Sequence, residues 1–168
     1  QLSDLPGHGR KDQPAVGLLL LRSYLLAGNT AHYDAVIHSL HARGLRVIPA
    51  FASGLDARPA MERFFKNAGD AKIQSLVSLT GFSLVGGPAY NDASAAEVAL
   101  SELDVPYIAA HPLEFQSIEQ WGGSTRGLLP VENTIMVAIP ELDGSILPMV
   151  YGGRPGPARS EERRVGKE

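Results

Sequence analysis

The sequence predicts an α/β domain built on a doubly wound, mostly parallel open sheet of the Rossmann-like or flavodoxin-like kind. Three observations predict it. Strand-sized apolar runs with no polar face recur along the chain, as expected of strands covered on both sides in a parallel sheet. Longer stretches with apolar residues at helical spacing lie between them. Glycine, asparagine and aspartate stand at the junctions, where the chain must turn or start a helix. Strands that alternate with helices pair in parallel through right-handed crossovers, with helices on both faces of the sheet.

Residues 1–14, with Gly7, Gly9, Lys11, Asp12 and Pro14, read as a connector from an upstream segment, and the chain starts at Gln1 rather than Met. We therefore expect an internal piece of a larger protein, with the α/β domain over residues 15–154. The first strand is the unbroken apolar run 15–21. After Gly28-Asn29-Thr30, residues 31–43 space Ala35, Val36 and Leu40 as a helix, which Gly44 is placed to end. Residues 45–51 form the second strand, 58–67 a helix with Met61, Phe64 and Phe65 on one side, and 73–79 the third strand. The alanine-rich stretch 94–103 is a helix capped by Asn91 or Asp92, and 105–110 is the fourth strand. Residues 114–121 read as a short helix and 134–139 as a fifth strand, after which the glycines and prolines from Gly144 onward take the chain out of the sheet. Leu18, Leu20, Val47, Val77 and Ile108 are the expected core.

Composition narrows the classes of function. With 44% hydrophobic and 20% charged residues the chain is ordinary for a globular domain. A net charge of −3 offers no basic footprint for nucleic acid. The absence of cysteine excludes disulfides and thiolate metal sites, which fits a cytoplasmic setting. No apolar run approaches the roughly 20 residues of a membrane span, and no signal-peptide pattern opens the chain.

In open α/β sheets ligands bind beyond the carboxyl ends of the strands. Four loops leave those ends, and five residues on them are candidates for ligand binding or an interdomain contact: Asn29, Tyr90, Asn91, His111 and Glu114. His111 and Glu114 follow the fourth strand and are expected to face the rim. The glycines of these loops read first as turn formers, since neither a Walker pattern nor a GxGxxG fingerprint is present. His32, His38 and His41 share one predicted helix and read as a solvated face, because that helix offers no third convergent metal ligand. Ser23, Ser53 and Ser83 lack the strand–turn–helix elbow of a nucleophile. By the residues alone the function stops at a parallel α/β domain with a polar rim, a description that a non-enzymatic small-ligand-binding module would also satisfy.

Several stretches together resemble one family. They are Val16-Gly17-Leu18-Leu19-Leu20-Leu21-Arg22-Ser23-Tyr24-Leu25-Leu26-Ala27-Gly28-Asn29-Thr30-Ala31-His32-Tyr33-Asp34, Arg43-Gly44-Leu45-Arg46-Val47-Ile48-Pro49-Ala50-Phe51, Gly86-Gly87-Pro88-Ala89-Tyr90-Asn91-Asp92 and His111-Pro112-Leu113-Glu114-Phe115-Gln116. Over roughly residues 13–154 the chain is similar to the large subunits of magnesium chelatase and cobaltochelatase. The Gly86–Asp92 loop and the His111–Gln116 turn favour the magnesium branch, bacteriochlorophyll-type members in particular. The resemblance implies a porphyrin-binding subunit many times longer than this chain. With two AAA+ ATPase subunits, it would insert Mg²⁺ into protoporphyrin IX on the way to (bacterio)chlorophyll. It further implies that ATP is bound by those partners, that this chain packs against the remainder of its own subunit, and that the setting is the cytoplasm, or the plastid stroma in a plant or alga. The cobalt branch, acting on a corrin precursor, is the alternative. The resemblance leaves the catalytic residues and the metal ligands of this stretch unassigned.

Residues 155–168 are expected to be a disordered tail, because they have almost nothing to bury. Within it, Arg159-Ser160-Glu161-Glu162-Arg163-Arg164-Val165-Gly166-Lys167-Glu168 reads as the translation of a sequencing adapter rather than as natural protein.

Overall fold

The computed structural model describes residues 12–156. Most of the expected connector and residues 157–168, with the adapter-like decapeptide, lie outside the described residues. Strand β1 (Ala15–Leu20) is buried along its whole length. It pairs in parallel with β2 (Arg46–Phe51) on one side and β5 (Ser75–Ser78) on the other. Strands β6 (Tyr107–Leu113) and β7 (Ile146–Gly153) extend the sheet, again in parallel. The order is β2-β1-β5-β6-β7. Counting only these five strands, that is the 2-1-3-4-5 order of flavodoxin-like folds, which decides between the two expected topologies.

Successive residues of β1 feed different layers, as a strand's period of two requires. Leu19 joins Ile48, Met61, Phe65 and Leu76 under α3 (Arg58–Phe65) and α4 (Ala93–Leu103). Leu18 and Leu20 join Tyr33, Val47 and Leu79 under α2 (Ala31–His41). Gly17 lets Ile73 and Phe65 pack close on the first face: a Cβ there would stand 2.7 Å from Ile73 Cδ1 and 3.1 Å from the Phe65 ring, so those side chains would have to shift. Of the expected core, Leu18, Leu20 and Val47 are buried, whereas Val77 and Ile108 are half-buried.

The helix boundaries follow local chemistry. Asp92 caps α4 by accepting from Ala95 N at 3.0 Å, and Gly44 leaves α2 with φ +76°. The helix expected over 58–67 stops at Phe65, where a small hairpin of β3 (Lys66–Asn67) and β4 (Asp70–Ala71) begins. A short helix, α1 (Arg22–Leu26), follows β1 directly, where the sequence suggests a loop. The helix expected at 114–121 begins later, as α5 (Ile118–Gly122), because Ser117 forms a capping box with Gln120.

The fifth strand is the main correction. Residues 134–139 are helical rather than extended: helix α6 (Pro130–Glu132) runs through a π-helical turn (Asn133–Ala138) into α7 (Ile139–Leu142). Pro130 suits a helix's first turn, and the buried Glu132 carboxylate accepts from Leu129 N at the helix start. The chain does not leave the sheet at Gly144 either, because β7 is its true fifth strand. Pro148 interrupts β7 and none of its residues is fully buried, as an edge strand permits. Leu147, at φ +52°, lies where the register against β6 shifts by one residue, a bulge between the Ile108 and Ala110 pairings.

Candidate functional site

From β1 the chain runs outward to β2 and then returns past β1 to β5, so the connections leaving β1 and β5 lie on opposite faces of the sheet. A crevice opens at such a switch point, and it is where ligands bind in open α/β sheets. Here it measures about 310 Å³. Leu20, Leu26, Leu55 and Phe82 give it apolar walls, while Arg22, Ser23, Ser53 and Thr80 supply a guanidinium and three hydroxyls. Such a lining suits a ligand with an apolar body and an anionic or hydrogen-bond-accepting end.

The loop after β5 is held rigidly. Ser83 Oγ donates to Val85 O at 3.0 Å and accepts from Val85 N at 3.2 Å. Buried Asp143 accepts from Leu84 N at 2.7 Å, and burial holds its carboxyl above the usual carboxylate range. Gly86 has φ +112°, and a Cβ there would overlap the Tyr90 carbonyl oxygen. Glycine at this position is therefore a backbone necessity of the turn.

Helix α1 separates this crevice from a second cavity of about 370 Å³, which Tyr24, Asn29, His32, Glu114, Tyr151 and Arg154 help to line. The Tyr24 hydroxyl donates to the Glu114 carboxylate, and burial with this bond pushes the phenol up. The His32 ring lies 5.1 Å from Tyr24, 4.0 Å from Tyr33 and 6.2 Å from Tyr151, centroid to centroid. Burial lowers the His32 pKa, an effect that the nearby Glu114 and Asp34 charges oppose. Tyr33 Oη accepts from Leu21 N at 3.1 Å and so closes the end of β1 beside the cavity.

The five candidates separate. Asn29 and Glu114 meet in the second cavity. Tyr90 is exposed and Asn91 half-buried, and neither lines either of these two cavities. His111 does not face the rim: it is 1% exposed within β6, beneath Gly81, with its Nδ1 3.4 Å from Pro112 O. The strand continues two residues past His111, which draws the imidazole inside. His32 is half-buried among aromatic rings, while His38 is exposed. Sequence reasoning passes over Arg22, Tyr24, His32 and Tyr151. The partners of His32 come from α1, α2 and β7, so no single periodicity groups them.

Comparison with known proteins matches residues 3–167 to the CobN/magnesium chelatase family model. The chain is 60% identical to a magnesium-chelatase subunit of Cereibacter sphaeroides over 139 residues, 83% of this chain and 12% of that protein. Against the magnesium-chelatase subunit of the same name in Rhodobacter capsulatus it is 54% identical over 165 residues, 92% of this chain and 14% of that protein. Against the aerobic cobaltochelatase subunit CobN of Pseudomonas aeruginosa identity falls to 30% over 146 residues, 83% of this chain and 11% of that protein. The chain thus spans about an eighth of the length of the magnesium-chelatase subunits it matches. It belongs to the CobN/magnesium chelatase family.

Proposed function

We propose that this chain is part of the large, porphyrin-binding subunit of an ATP-dependent magnesium chelatase, which inserts Mg²⁺ into protoporphyrin IX for (bacterio)chlorophyll synthesis. The observation that carries the reading is the gap in identity, 60% to a magnesium-chelatase subunit against 30% to a cobaltochelatase subunit. The gap favours magnesium over the cobalt branch. Mg²⁺ and the porphyrin are substrates in this reading. ATP is bound by two AAA+ partner subunits, and the setting is the cytoplasm, or the plastid stroma in a plant or alga. No helix among the described residues is long and apolar enough to cross a membrane.

Metal insertion strips water from an ion that dehydrates reluctantly and removes two pyrrole protons. The subunit must therefore hold the ring still, exclude solvent and accept protons. The rim offers groups for the first two tasks, in the hydroxyl-lined crevice and the aromatic cavity next to it. The test uses the full-length subunit. Titration with protoporphyrin IX is expected to quench and red-shift porphyrin fluorescence, and addition of the ATPase subunits with Mg²⁺ and ATP to yield Mg-porphyrin. The 168-residue chain alone is expected to give no Mg-porphyrin. Insertion of cobalt into a corrin-type ring in place of magnesium into protoporphyrin would overturn the assignment.

A further inference from the structure

The cavity beside Glu114 contains polar atoms that the fold leaves unpaired. His32 Nε2 and Tyr151 Oη are both shielded from solvent, and neither has a hydrogen-bond partner among the described residues. Both residues line this one cavity. A buried donor or acceptor without a partner is costly, and native structures keep few of them. His41 Nε2, Arg46 Nε, Tyr107 Oη and Asp143 Oδ1 are unpaired as well, but none of these residues lines this cavity.

The walls indicate what would supply the missing bonds. The His32 and Tyr151 rings are near parallel, inclined by 16°, and Tyr24 stands edge-on to His32 at 74°. These are aromatic surfaces for a flat, unsaturated ligand. An imidazole nitrogen can donate or accept according to its proton, and a phenol hydroxyl can do both, so the two unpaired atoms serve a ligand whose edge carries polar groups. Arg154 adds a cation and Glu114 a carboxylate already fixed by Tyr24. At about 370 Å³ the space is near the lower end of small-molecule pockets, which run from about 300 to 1,000 Å³. It admits part of a four-ring macrocycle rather than the whole.

We propose that this cavity receives one edge of the planar tetrapyrrole substrate, with His32 Nε2 and Tyr151 Oη hydrogen-bonding its polar edge groups and Arg154 meeting a ring carboxylate. The proposal rests on the chelatase reading and adds a substrate subsite to it.

The experiment uses the full-length subunit and protoporphyrin IX, with binding read by fluorescence titration and stability by thermal melting without ligand. His32→Phe and Tyr151→Phe keep a ring in place while removing the unpaired atom. Each is expected to raise the Kd about 3- to 10-fold, the worth of one ordinary hydrogen bond. Each is also expected to leave the ligand-free Tm unchanged or higher, since an unsatisfied group has gone. His32→Gln, which restores a polar atom, should recover part of the affinity. The dimethyl ester of protoporphyrin IX should bind the parent more weakly than the free acid, and Arg154→Ala should remove that difference. If the parent binds porphyrin and both Phe variants bind equally well, water satisfies these atoms and the subsite is refuted. A lower Tm in the ligand-free Phe variants would make the atoms structural and refute it too. A parent subunit that binds no porphyrin at all would overturn the chelatase reading and the subsite with it.

Discussion

Glu132 joins two parts of the rim that are far apart in sequence, and replacing it with alanine should release both. Its side chain is fully buried. Oε1 accepts from Phe115 N at 3.1 Å, and Oε2 accepts from Leu129 N at 3.2 Å and from the Gln116 amide. Glu132→Ala would leave two backbone N–H groups and one side-chain amide without an acceptor. The Gln116 amide is the buried donor of the three, so leaving it unpaired costs about 1–3 kcal/mol, to which the two part-buried backbone groups add less, since solvent can reach them. Total domain stabilities are about 5–15 kcal/mol, so the expected response is local opening of the segment after β6 before global unfolding. Hydrogen exchange on the full-length subunit measures this directly. Protection of the Phe115 and Leu129 amides should fall by about 5-fold or more, the equivalent of the lower bound of about 1 kcal/mol. Glu132→Gln keeps one carbonyl oxygen and should lose about half as much free energy. Unchanged exchange at both amides in Glu132→Ala would refute the idea that this carboxylate holds the loop to the helix.

Two further outcomes follow from burial. Leu20→Asp should abolish stable folding of the domain, because Leu20 is 7% exposed and a buried, unpaired carboxylate there has nothing to offset it. A variant that melted like its parent would show β1 to be misplaced. Asp143 is the pH-dependent case. Its carboxyl is raised by burial, so the folded state binds more protons, and stability falls as pH climbs from the unfolded value, about 3.9, through the raised folded one. Asp143→Asn keeps an oxygen for Leu84 N and removes the charge, so it should flatten that decline and melt no lower than the parent at pH 7. A lower Tm with the same slope would refute this account.

The portion of the site legible in the sequence is the part set by position along a strand or helix. Loops that leave strand ends can be identified from the chain, which is what singles out Asn29 and Glu114, and both lie in one cavity. His111 shows the limit of such reasoning. An imidazole near a strand end reads as rim-facing, but β6 runs on to Leu113 and His111 is buried within it. His32 shows it from the other side. It reads as part of a solvated helix face, yet Tyr24 from α1 and Tyr151 from β7 converge on it. Convergence of residues 24, 32 and 151 is a property of crossovers, not of local spacing.

The sequence by itself determined the α/β class, the fully buried β1, the positions of α2, α3 and α4 and the family resemblance, because apolar periodicity and capping chemistry are local and survive in one dimension. Tertiary structure alone decided the strand order, the identity of the fifth strand and the composition of the rim. Residues 134–139 have the β-branched content of a strand, but Glu132, bonded to Phe115 and Leu129, anchors them in a helix. Strand β7 carries Pro148, Gly152 and Gly153, which read as loop residues, and it is a strand because β6 offers it an edge. Hydrogen-bond partners that lie far along the chain outweighed local propensity at both places, since a buried carboxylate or an open sheet edge must be satisfied wherever its partner comes from.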